Sequence, residues 1–241
     1  MTYKFTIIVP VYNEEENLKR VETELSNYLK IAAVPASILF INDGSKDKSQ
    51  TLIEAICERN AAFNYITFKE NKGLSTAIKA GFDHVNSELV GYIDSDLQTA
   101  PKDFNILLEH IDTHELVTGV RSNRKDSFIK NLSSKIANSI RRAFTSDGMD
   151  DTCCPLKVIK TDYAKRIPMF RGLHRFLPAM IMLQKGRVTQ ITVQHFPRLA
   201  GTSKFGLWNR ILGPLMDCFA YLWMKKKYIN YEVEKSSKHN S

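Results

Sequence analysis

The sequence predicts an α/β fold, a mostly parallel sheet flanked by helices, and three observations carry that prediction. Short apolar runs alternate with amphipathic stretches from Phe5 to about Leu116. A polar or glycine-containing cluster follows each apolar run. Hydrophobic residues make up 43% of the 241, enough to bury one large domain, alone or with an appendage.

Taken in order, FTIIV precedes an amphipathic stretch from Glu14 to Lys30, and ASILFI precedes one from Lys48 to Arg59. NYITF then precedes Leu74 to Val85, and LVGYI precedes Pro101 to Ile111. This βαβα rhythm implies right-handed crossovers between parallel strands. In such sheets ligands sit beyond the carboxyl ends of the strands. Those ends carry PVYNE, NDGS, KENKG and DSDLQ.

The second half is less regular. It reads as a helix from about Phe128 to Phe144, a β segment near Val188 to Gln194, and an apolar stretch from Phe205 to Met224. The polar tail, Glu232 to Ser241, is expected to be disordered. A formal net charge of +8 favours an anionic partner, but no RNA-binding motif or clustered basic-aromatic face is visible, so nucleic acid is not expected. Cys57, Cys153, Cys154 and Cys218 form no CxxC pair, which argues against a zinc site or a disulfide framework and fits a reducing setting. The run into the first strand shows no charged head with a long apolar stretch, so no signal peptide is expected.

Asp94-Ser95-Asp96 puts two carboxylates at a strand end, where residues two apart can converge on one ligand. Hard divalent cations want such oxygens, and Mg²⁺ or Mn²⁺ held there would bind the phosphates of a nucleotide diphosphate. The same triplet also occurs as a solvated turn, and position at a strand end favours the first use. Asp43-Gly44-Ser45 offers a tight turn, close ligand approach and a carboxylate for a base or ribose. It serves equally as a helix cap. Pro10, Tyr12 and Glu14 stand at the mouth of the first strand, where an aromatic ring can flank a base; a plain strand-to-helix turn is the alternative.

Together PVYNEEENL, NDGSKDKS, NKGLSTAIKAGF and YIDSDLQTAP, in that order and spacing, resemble family 2 glycosyltransferases of the GT-A fold. DSDLQ-x-x-P with the later GVRSNRKDS and PRLAGTSKF is similar to the polyprenyl-phosphate branch, which includes dolichol-phosphate mannosyltransferases and undecaprenyl-phosphate sugar transferases. The resemblance implies a GT-A catalytic domain over 1–204; the residues beyond it read as an amphipathic helical membrane-interface or dimerisation segment over 205–231 and a disordered tail over 232–241. It implies that Pro10, Tyr12, Glu14 and Asp43 line the nucleotide pocket and that Asp94, Asp96 and Gln98 surround the metal and diphosphate. It places Arg121, Arg124, Arg198, Ser203 and Lys204 against diphosphate or acceptor phosphate. The donor it implies is a UDP- or GDP-sugar.

The acceptor decides the chemistry. A lipid phosphate is already ionised at neutral pH, so positioning by cations suffices and the anomeric centre inverts. A sugar hydroxyl needs a carboxylate base, and Asp151 in MDDTCCPLK is the candidate; Cys153 stands where the family usually has glycine. Phe128, Leu132, Ile136 and Ile140 share one face bordered by basic residues, which suits an interfacial helix or a core-packed one. FGLWNRILGPLMDCFAYLWMKKK reads as an interface anchor, too interrupted by Arg210, Gly213-Pro214 and Asp217 to span a bilayer. The expected location is therefore the cytoplasmic membrane face, as a peripheral enzyme; burial of the same helices in a homo-oligomer is the rival use.

Overall fold

A computed structural model describes residues 2–121, 141–197, 212–231 and 234–235. Its centre is a seven-stranded sheet in the order β3-β2-β1-β4-β6-β5-β7. The strands are β1 (Phe5–Val11), β2 (Ala36–Asn42), β3 (Phe63–Thr67), β4 (Leu89–Tyr92), β5 (Leu116–Arg121), β6 (Lys157–Lys160) and β7 (Val188–Val193). The first four pair in parallel, and so do β5 and β7. Only β6 is reversed, antiparallel to both β4 and β5.

The helices are α1 (Glu15–Ile31), α2 (Ser49–Arg59), α3 (Leu74–His84), α4 (Phe104–Leu108), α5 (Thr161–Lys165), α6 (Leu177–Leu183) and α7 (Leu212–Lys227), with 3-10 turns at Pro101–Asp103 and Leu173–Phe176. Helices cover both faces of the sheet, so β1, β2 and β4 are buried along their whole length and read as unbroken apolar runs. Alternate residues of β1 serve opposite faces. Ile7 and Val9 join Leu18, Val21, Leu25 and Tyr28 of α1 in one core, with Phe104 closing it. Ile8 joins Ile78 and Phe82 of α3, Phe176 of the second 3-10 turn, and Tyr221 of α7 in the other.

The four βα units, the β7 segment and a C-terminal helix stand where the sequence predicts them. Two strands do not. Leu116, expected to end the regular half, begins β5, and β6 lies in a stretch without strand signal. The Pro101 to Ile111 helix is split into a 3-10 turn and one short helix. Most of the expected Phe128 to Phe144 helix lies outside the described residues; residues 141–145 are helical.

Candidate active site

The site is assembled where β1, β2 and β4 end. Pro10 lies within β1, and Tyr12 to Glu14 turn into α1, while Asp43 to Lys48 turn into α2. The two turns are hydrogen-bonded to each other. Asn13 N–H donates to Ser45 Oγ at 3.0 Å, Glu14 N–H to Ser49 Oγ at 3.0 Å, and Lys46 N–H to Asn13 Oδ1 at 2.8 Å. Asn13 stands at φ 51°, a region asparagine tolerates better than most residues. Glu14 accepts from the Asn17 amide at 2.6 Å, so its carboxylate also anchors the first turn of α1.

Asp43, 4% exposed, shapes a third loop. Its Oδ1 accepts Lys72 N–H at 2.6 Å, and its Oδ2 accepts Gly73 N–H at 2.8 Å and the Asn71 amide at 2.9 Å. The carboxylate thereby holds the start of α3 against the end of β2. Gly44 makes this approach possible: at φ +67°, a Cβ there would lie 2.5 Å from the Glu70 carbonyl carbon and 2.7 Å from Asn71 N. Any side chain would push the two loops apart.

The acidic loop follows β4. Tyr92 Oη donates to Asp94 Oδ1 at 2.5 Å. Asp96 Oδ1 accepts Gln98 N–H at 3.3 Å, and Leu97 between them takes φ 46°. From α1, Arg20 donates to the carbonyls of Asp96 and Leu97 at 3.3 and 3.1 Å. From beyond β7, Phe196 N–H donates to the Gln98 carbonyl at 2.8 Å, and Gln98 Nε2 donates back to the Phe196 carbonyl at 3.4 Å. The loop is thus fixed from both sides with its carboxylates close together. Burial, then the charge of Asp96, pushes the Asp94 carboxyl up to about 6, against the pull of Tyr92, Lys157 and Arg121. Two carboxylates close enough for one to raise the other supply the hard oxygen donors that a divalent cation takes.

The other flank of the crevice belongs to β5 and the chain entering β6. Arg121, the last residue of β5, grips Asp151 with its Nε at 2.7 Å and its Nη2 at 2.9 Å. Both side chains are nearly buried; burial opposes the charge of Arg121, but the Asp151 carboxylate outweighs it and raises the guanidinium above its usual pKa. Three residues beyond Cys154, where the turn that begins at Asp151 ends, Lys157 is 1% exposed. At the first turn of α3, Ser75 Oγ accepts Gly172 N–H at 2.9 Å and lies 2.8 Å from His174 Nδ1. Burial, with Arg175 and Lys157 assisting, pushes that imidazole down to about 3.

The structure therefore brings Pro10, Tyr12, Glu14 and Asp43 together at one end of the sheet with Asp94, Asp96 and Gln98, and pairs Arg121 with Asp151 across the opening. Arg124, Arg198, Ser203 and Lys204 lie outside the described residues. Sequence reasoning missed Arg20, Tyr92, Lys157 and His174. Tyr92 sits two residues before Asp94 within the same motif and carried a local signal; the other three reach the site only through tertiary contacts.

The sequence signature described as Glycosyl transferase family 2 matches residues 6–167. Among solved structures, glucosyl-3-phosphoglycerate synthase from Mycobacterium tuberculosis in complex with uridine diphosphate is 13% identical, with a TM-score of 0.70 over 95% of this chain and 82% of that one. The same enzyme with Mn²⁺, UDP-glucose and phosphoglyceric acid gives 0.67 at 12% identity over 95% and 81%. A mannosyltransferase from Pyrobaculum calidifontis in complex with GDP-mannose and Mn²⁺ gives 0.61 at 16% identity, covering 92% of this chain and 64% of that one. At these identities the likeness is one of fold, and that fold is GT-A.

Proposed function

Because the chain belongs to glycosyl transferase family 2, we propose that it transfers a sugar, with inversion, from a UDP- or GDP-sugar to a polyprenyl phosphate at a membrane surface. Residues 1–204 form the catalytic domain in this reading, and 205–231 the interface segment. Asp94, Asp96 and Gln98 would hold Mg²⁺ or Mn²⁺, which when bound would supply Lewis-acid neutralisation of nucleoside diphosphate charge. Asp43 keeps the nucleotide loops in register, and Tyr12 flanks the base. Arg121, with Arg124, Arg198, Ser203 and Lys204, positions diphosphate and acceptor phosphate.

The observation that carries the choice of acceptor is the fork between Arg121 and Asp151. A carboxylate gripped at 2.7 and 2.9 Å by a guanidinium is a poor proton acceptor, because its ionised form is the one the pair stabilises. A phosphate nucleophile needs no base. The structural neighbours solved with phosphoglyceric acid keep a hydroxyl-bearing acceptor as the second reading.

One assay separates the two. Purified protein, radiolabelled UDP- and GDP-sugars, Mn²⁺ and either polyprenyl phosphate in vesicles or water-soluble acceptors are incubated together. Acid-labile label in the lipid is the expected product; label only in soluble product overturns the reading. Asp151→Asn, which leaves Arg121 one acceptor, should then lower lipid transfer by less than about tenfold. A loss of roughly a thousandfold with nucleotide binding intact would identify Asp151 as the base of a hydroxyl-directed enzyme.

The membrane part of the proposal rests on α7. One face of this helix packs on the core: Cys218 and Tyr221 are buried, and Tyr221 stacks on Phe176 at 5.6 Å. The opposite face leaves Met216 67%, Phe219 53% and Trp223 67% exposed, at spacings of three and four residues, and Lys225 to Lys227 follow. Apolar side chains bordered by ammonium groups match the interfacial region of an anionic bilayer. No helix among the described residues is long and apolar enough to cross a membrane. Trp223→Asp should reduce co-sedimentation with vesicles containing phosphatidylglycerol at least fivefold without changing thermal stability, and wild-type binding should weaken in high salt. Equal binding by both proteins, with a dimer that Trp223→Asp dissociates in sedimentation velocity, would assign the stripe to self-association instead.

A further inference from the structure

Lys157 opens β6, opposite Tyr92 of β4 and Thr118 of β5, in the interior of the sheet. With 1% of its surface exposed, it makes no ion pair with any described residue. Its ammonium donates to the carbonyl of Thr152 at 3.1 Å and to that of Cys154. Those two carbonyls belong to the turn that begins at Asp151, the carboxylate held by Arg121.

Enclosing an ammonium this completely is unfavourable: burial pushes Lys157 below its usual pKa, against the pull of the Asp151 carboxylate, and a methionine of similar length would fill the space without that penalty. What the charge does have is a set of neighbours. Asp94, Asp96 and Asp151 bring three carboxylates to this end of the sheet, and Arg121 is the other cation among them. Lys157 pairs with Tyr92 in the register of β4 and β6, and Tyr92 donates to Asp94 at 2.5 Å, so one side chain stands between this lysine and the acidic loop. Lys157 closes the MDDTCCPLK segment, but lysine is rarely an interior side chain, so the sequence assigns it no role.

We propose that Lys157 is a fixed internal cation of the donor site: it positions the Thr152 to Cys154 turn, and its charge opposes a divalent cation at Asp94 and Asp96 while favouring the diphosphate that the cation accompanies. Lys157 is on this account a positioning residue that touches neither substrate. The proposal rests on the metal and nucleotide reading above. It makes a prediction of sign that a purely structural role does not share, because loss of packing weakens every ligand, whereas loss of one positive charge strengthens one ligand and weakens the other.

The test compares wild type with Lys157→Met, Lys157→Gln and Lys157→Arg. Gln keeps hydrogen-bond donors for the two carbonyls without the charge. Mn²⁺ alone is titrated by electron paramagnetic resonance, and UDP and GDP are titrated at saturating Mn²⁺ by calorimetry. The uncharged variants should bind Mn²⁺ about threefold to tenfold tighter and nucleotide at least threefold weaker, with Arg restoring both. Uncharged variants whose two affinities move together, or not at all, overturn the proposal. A wild type that binds neither Mn²⁺ nor nucleotide instead overturns the donor-site reading beneath it. Should both uncharged variants fail to fold, ε-¹⁵N-lysine NMR of wild type decides, with Lys157→Arg supplying the assignment. A Lys157 ammonium signal that shifts on adding Mg²⁺ supports the proposal, and a neutral amine, or a signal blind to Mg²⁺, sinks it.

Discussion

Asp94→Asn is expected to lower sugar transfer about a thousandfold, roughly 4 kcal/mol of lost transition-state stabilisation, while making the cation-free protein more stable at neutral pH. The two effects have one cause. In the folded chain the Asp94 carboxyl is raised from 3.8 to about 6, so folding disfavours its ionised form. For a carboxyl raised in this way, the stabilising contribution is fully present below 3.8 and is lost as pH rises through about 6. Wild type therefore carries the whole penalty at pH 7.5, and Asn carries none. Part of the side chain meets solvent, so the gain in Asp94→Asn is on the order of 1–2 kcal/mol, or a few degrees in Tm. Differential scanning fluorimetry in EDTA should show the gain at pH 7.5 and its disappearance below about pH 4. Saturating Mn²⁺ should reverse the order, because only wild type is stabilised by binding it. Turnover near that of wild type, or a variant less stable than wild type at pH 7.5 in EDTA, would contradict the assignment of the acidic loop.

Gly44→Ala should destabilise the fold by about 2–4 kcal/mol and weaken nucleotide binding at least tenfold. The backbone at φ +67° already disfavours alanine, but the larger effect is contact: the atoms a Cβ would meet are main-chain atoms of Glu70 and Asn71 and cannot rotate aside. Separation of these loops would also pull Lys72 and Gly73 from the Asp43 carboxylate, leaving a buried acid short of donors. Gly148→Ala supplies the control, since Gly148 has the same φ of +67° with nothing within 4 Å of an added Cβ. Its loss should stay near 1 kcal/mol. Urea denaturation of both variants and UDP titration of the first give the comparison. Equal losses would show that backbone conformation alone, and not the approach of the two loops, makes glycine necessary at 44.

The half of the site proposed to bind a nucleotide was legible in the sequence because its residues sit within single strand-to-helix turns. Asp43 follows ASILFIN, and Asp94 and Asp96 follow LVGYI, so a strand pattern and its polar end stand side by side. The other half depends on long-range pairing. Thirty residues separate Arg121 from Asp151, and 97 separate Ser75 from Gly172. β6 is four residues long with lysine at both ends, a composition that gives no strand signal until its neighbours exist to pair with it. Arg20 looked like any solvated position of an amphipathic helix, yet it holds two carbonyls of the acidic loop.

The reversed direction of β6 has an evolutionary corollary. Since β5 and β6 run antiparallel, the chain leaves the sheet at Arg121 and rejoins it at Lys157 on the same rim, above the crevice. Among the described residues, what lies between adds no strand to the sheet, and β1 to β4 pair without it. A lineage can lengthen, shorten or replace that stretch of sequence while β1 to β4 and the turns that end them are inherited intact.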